Sequence, residues 1–178
     1  MTRPAILIAG IGNIFLGDDA FGSEVARQLS DLAEMDGVEV VDFGIRGLDL
    51  AYALADRCDI AILIDATAQN SPPGTLHLIE LELNATDNSG DQPTQLVDAH
   101  SMDPMKVLRL VRSMNGRVRR AVLVGCEPAD LGDDEGRLGM SEVVEAAVPQ
   151  AIAMVRELVA GMLESEQDSR LSISGKDG

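Results

Sequence analysis

The chain has 178 residues, of which 46% are hydrophobic, 25% charged and only 2% aromatic, and its formal net charge is -16. That length suits one domain with a sizeable core, and the balance is that of a globular protein, not a disordered or fibrous one. The excess of acid repels phosphate backbones and anionic headgroups, and so few aromatic rings build no stacking platform for bases, which excludes nucleic acid and membrane as partners.

Ala5 to Ala9 is a short apolar run ending at Gly10 and reads as a fully buried strand of a parallel sheet. After a glycine-bearing loop, Phe21, Val25, Leu29 and Leu32 recur at helical spacing. Val38 to Val41 forms a second strand ending at Asp42, with a short helix behind it carrying Leu48, Ala51, Tyr52 and Ala55. Ile60 to Ile64 is the third strand, ending at Asp65. The turn Ser71-Pro72-Pro73-Gly74 leads into a strand over Thr75 to Leu81, expected to be antiparallel at an edge. Residues 84–95 read as a mobile polar loop. Val107, Leu110, Val111 and Met114 mark a third helix, Ala121 to Val124 a fifth strand, and Glu127 to Gly139 an acidic loop.

The last helix carries a stripe from Val144 to Met162, with Pro149 predicted to kink it. Residues 1–164 are thus read as a single domain, and residues 165–178 as a polar, disordered tail. The alternation of strands and helices predicts an α/β fold: a three-layer, doubly wound, mostly parallel five-stranded twisted sheet with helices on both faces. Cys58 and Cys126 form no CxxC, which suits a reducing, cytoplasmic compartment. The opening apolar run is too brief for a signal peptide, and no transmembrane span is expected.

Gly10-Ile11-Gly12 between a strand and a helix invites a dinucleotide-binding reading, with Asp42 imitating the ribose-binding acid. Phe15 stands where the third glycine of the motif belongs, so the close helix-strand approach of such a site is not expected there. Gly17-Asp18-Asp19 follows, directly before the helix. One of the two acids is expected to cap that helix, which leaves the other to face the crevice above the sheet.

In open α/β sheets ligands sit at the carboxyl ends of strands, where the strand order reverses. An order beginning 2-1-3 puts Asp18 and Asp19 on one side of that crevice and Asp65 on the other. The chain has two histidines: His77 lies within a strand, and His100 precedes the third helix. Two carboxylates and an imidazole suit nickel, zinc or iron. The sequence contains neither the HExxH of a zincin nor the GxSxG of a serine hydrolase. From Glu80 to Asp103 there are six acids and no Lys or Arg, a stretch able to attract cations or to serve as a solvated loop.

Together, GIGNIFLGDDAFG, the strand ending at Asp65, and His100 before a helix resemble the nickel-iron hydrogenase maturation endopeptidases, with weaker support from Val124-Gly125-Cys126-Glu127-Pro128. The resemblance implies an endopeptidase that removes a C-terminal extension from the precursor of a hydrogenase large subunit after nickel insertion. It further implies that Asp19, Asp65 and His100 bind the metal, with nickel supplied by the substrate and no organic cofactor. The segment Asp42-Phe43-Gly44-Ile45-Arg46-Gly47 departs from the Asp-Gly-Gly-Thr of some members. It implies substrate recognition by Asp42, Gly44 and Arg46 and leaves open which large subunit is processed. Ala20 replaces a frequent glycine. Two further readings stay open: a non-enzymatic nucleotide- or metal-binding α/β protein, and a peptidase with a resident metal.

Overall fold

The computed structural model describes residues 5–83, 103–132 and 135–174. Its elements in chain order are β1 (Ile6–Ile11), α1 (Phe21–Gln28), β2 (Val38–Gly44), α2 (Gly47–Arg57), β3 (Ile60–Ala66), β4 (Leu76–Leu81), α3 (Pro104–Ser113), β5 (Arg120–Cys126) and α4 (Glu142–Ser174). Short 3-10 turns at Gly17–Ala20 and Ser30–Glu34 bracket α1. The strands form one sheet in the order β2-β1-β3-β5-β4. All neighbours are parallel except β4, which runs antiparallel to β5 at the edge, as its turn and composition predict.

Every residue of β1 is buried because the strand is covered on both faces. Ile6 and Ile8 join a cluster with Phe21, Val25 and Leu29 of the α1 region and Val144, Ala151 and Val155 of α4. Leu7, Ala9 and Ile11 join the opposite cluster, with Leu50 and Leu54 of α2 and Val107 and Val111 of α3. The period-two alternation of a strand thus divides a continuous apolar run between two cores.

The close helix-strand approach expected to be missing is present, made by a different glycine. A Cβ on Gly22 would stand 2.1 Å from the carbonyl oxygens of both Ile11 and Ile64. Only a residue without a side chain lets α1 lie this near β1 and β3.

In α4, Pro149 lies inside a helix that continues through it to Ser174, past Ser165, where polar composition predicts a tail. By length and composition alone, Glu142–Ser165 could cross a bilayer. Its stripe of Val144, Ala147, Val148, Ala151, Val155, Val159 and Met162 is instead buried against the sheet. His100, the loop at residues 84–95 and most of the acidic run lie outside the described residues.

Candidate active site at the strand carboxyl ends

The strand order places β1 between β2 and β3, so the loop after β1 and the end of β3 border the same crevice. Gly12 lets the loop fold back on itself: its φ is +145°, and a Cβ there would stand 1.8 Å from the Asp19 carbonyl oxygen. The Asn13 amide donates to Asp19 Oδ2 at 2.8 Å, and Phe15 N–H donates to Asn13 Oδ1 at 3.0 Å. These contacts hold the Asp19 carboxylate above the sheet.

Neither acid of the pair caps a helix through its side chain; both stand in the first turn of the 3-10 segment that precedes α1. Asp18 is fully buried and reaches across to the segment after β5. Its Oδ2 accepts from the amides of Ala129 and Asp130 at 2.7 and 2.8 Å and from Ser141 Oγ at 3.0 Å, while Oδ1 accepts from the Ser141 amide at 2.6 Å. Burial by itself raises the pKa of Asp18, but these amides and the hydroxyl outweigh it and hold the carboxyl below the ordinary range. The backbone ties the same two loops together through Asp18 N–H to Asp130 O, Gly17 N–H to Arg137 O and Arg137 N–H to Phe15 O.

Asp65 ends β3 in a different environment. It is buried, and its pKa is pushed well above the ordinary value, first by desolvation and then by the negative charges of Asp19 and Asp103, against one amide bond from Ala66. Asp19 is also raised, by desolvation against the Asn13 amide. Asp103 caps α3: its side chain accepts from the Met105 amide at 2.9 Å, with Pro104 in the first turn. Asp-Pro before an apolar-periodic helix is a readable helix start, yet sequence reasoning assigned Asp103 no role.

Asp42, Gly44 and Arg46 also come together, in the turn after β2. The Asp42 Oδ1 accepts from Ser23 Oγ at 2.7 Å and from the Gly44 amide at 2.9 Å, so the acid that imitates a ribose-binding group in sequence is engaged within the protein. Arg46 folds over its own turn, donating to the carbonyls of Asp42 and Phe43 and standing 5.9 Å from the Phe43 ring centre. Gly12 N–H donates to Gly44 O at 3.0 Å, which joins this turn to the Asp19 loop. His77, at the opposite edge, lies 3.4 Å from the buried Glu127 carboxylate.

Among the described residues no three His, Cys, Asp or Glu side chains converge as a metal-binding group. The arrangement offers two carboxylates, Asp19 and Asp65, facing one crevice with raised proton affinity.

The profile of the hydrogenase maturation protease family matches residues 23–158. A putative hydrogenase maturation protease of Methanocaldococcus jannaschii is 31% identical over 157 residues, covering 87% of this chain and 96% of the relative. The hydrogenase 2 maturation protease of Escherichia coli is 29% identical over 160 residues, covering 85% and 91%. Among solved structures, a hydrogenase 2 maturation peptidase from a Thaumarchaeota archaeon superposes with a TM-score of 0.65 at 32% identity, over 87% of this chain and 97% of that one. The hydrogenase maturating endopeptidase HybD of Escherichia coli gives 0.65 at 26% identity, over 93% and 94%. With sequence and sheet architecture in agreement, this chain belongs to the hydrogenase maturation proteases and is a peptide-bond hydrolase.

Proposed function

We propose that the protein cleaves the C-terminal extension from the precursor of a nickel-iron hydrogenase large subunit, and that it recognises nickel already held by that precursor. One observation carries the nickel reading. Asp65 is a buried carboxylate on which the charges that act among the described residues, Asp19 and Asp103, are both negative. Its charged form is unfavourable unless a proton or a cation neutralises it.

Asp19 and Asp65 supply two oxygen ligands, and His100 the third. His100 stands three positions before Asp103 in the sequence, and the Asp103 carboxylate itself influences Asp65. Before docking, Asp65 holds its proton at a higher pH than an ordinary aspartate; the arriving ion displaces it. A divalent ion at this position supplies Lewis acidity toward a carbonyl or a water. Asp42, Gly44 and Arg46, in the exposed turn joined to the Asp19 loop, fit a role in selecting the large subunit. Two free cysteines, both buried, suit action in the cytoplasm.

Mass spectrometry of nickel-free and nickel-loaded precursor after incubation with the enzyme tests the reading. Loss of the C-terminal peptide from the loaded form alone is expected, and equal loss from both would refute nickel recognition. Asp19→Asn, Asp65→Asn and His100→Ala should each abolish processing while leaving the fold intact; full activity in any one removes that residue from the site. Stoichiometric metal retained by the purified enzyme would favour a peptidase with a resident ion.

A further inference from the structure

Asp65 pairs with Gly125 of β5, and Gly125 pairs on its other side with His77 of β4. In-register partners project to the same face, so Asp65 and His77 flank a position that has no side chain. The chain leaving β3 folds into that space: a Cβ on Gly125 would stand 3.1 Å from Thr67 Cβ and 3.3 Å from Thr67 Oγ1. Next along β5, beyond Cys126, comes Glu127, a charged residue only 6% exposed.

The Glu127 carboxylate points back at this same segment. Its Oε2 accepts from the Gln69 amide at 2.6 Å and lies 3.4 Å from His77 Nε2. The Glu127 main chain completes the attachment, with its amide donating to Thr75 O and its carbonyl accepting from Gly74 N–H, each at 2.8 Å, while Thr67 N–H donates to Cys126 O at 2.8 Å. The loop from β3 to β4 is thereby fastened at both ends by main-chain bonds, and near its middle by one side chain.

We propose that Glu127 is a positioning residue for the hydrolytic site: by gripping the Gln69 amide it fixes the segment that follows Asp65, and with it the direction of the Asp65 carboxylate. This rests on the reading above that Asp65 meets the substrate's metal. Glu127 touches neither substrate nor metal; it acts through residues 67–69.

Steady-state processing of nickel-loaded precursor by the full-length enzyme separates this role from plain stabilisation. Glu127→Ala should lower kcat about tenfold, leave KM within twofold, and speed hydrogen exchange of the Gln69 amide. Glu127→Gln, which keeps an Oε acceptor for that amide, should restore kcat to within about twofold of the parent. Parent-like kcat in the alanine variant at a temperature where it is folded would overturn the proposal, and so would a glutamine variant as slow as the alanine one.

Should the alanine variant fail to fold, Gly125→Ala carries the test by pushing on Thr67. It should lower kcat several-fold, and an unchanged kcat would overturn the proposal. A parent enzyme unable to process any loaded precursor would instead refute the underlying assignment of function.

Discussion

Two adjacent aspartates in one loop do opposite work because different groups reach their oxygens. Asp18 is surrounded by donors, and its depressed pKa marks a stabilisation that is fully present above the ordinary aspartate value and is lost as pH falls through the folded one. Asp18→Ala leaves the amides of Ala129, Asp130 and Ser141 without their carboxylate and should cost roughly 3 kcal/mol by denaturant unfolding at neutral pH. That cost should shrink toward pH 3. Asp65 has the opposite sign: its raised pKa means that the fold loses stability as pH rises from the ordinary aspartate range through the folded value. Asp65→Asn should therefore raise the thermal midpoint of the metal-free protein by several degrees at pH 7, with the gain vanishing near pH 3, even as processing stops. The presence of both acids was legible in the sequence; the expected helix cap was not how Asp18 serves the structure. Its actual partners were not legible, because they stand 111 to 123 residues away and leave no local signal.

At the scale of elements, apolar runs and helical spacing located each strand and helix, because both report burial. In α2, however, the buried face carries Leu50, Ala51 and Leu54, and Leu48 and Tyr52 of the expected stripe are exposed. The misreadings concern close contacts. Gly10-Ile11-Gly12 suggested a nucleotide site, whereas Gly10 serves instead, together with Gly22 at the far end of the same GIGNIFLGDDAFG segment, to bring α1 close against the sheet. The start of α3 carries a testable coincidence, because Asp103 both caps the helix and presses on Asp65. Asparagine caps nearly as well as aspartate. Asp103→Asn should leave the unfolding free energy unchanged or higher, whereas Asp103→Ala should lose about 1 kcal/mol, both read by denaturant unfolding.

For the whole molecule, the topology decides where chemistry can occur, and the reversal at β1 and β3 was deducible once the order 2-1-3 was assumed. Glu127 and its grip on the β3–β4 loop were not deducible, since a single glutamate after a buried strand resembles any surface acid. Raised proton affinity at both Asp19 and Asp65 has a consequence for the enzyme as a whole. The acid limb of its processing rate should lie above the range of ordinary aspartates, and Asp103→Asn should move that limb to lower pH by relieving Asp65 of one negative neighbour. A pH profile of cleavage with loaded precursor measures both.

The Asp18 clasp also sets a schedule. Residues 129 to 141, which complete the loop bearing Asp19, leave the ribosome long after β1 and β3 do. A nascent chain that has already formed those strands has its acids but not their arrangement, so the protease acquires its cutting geometry only once the segment beyond β5 has been made.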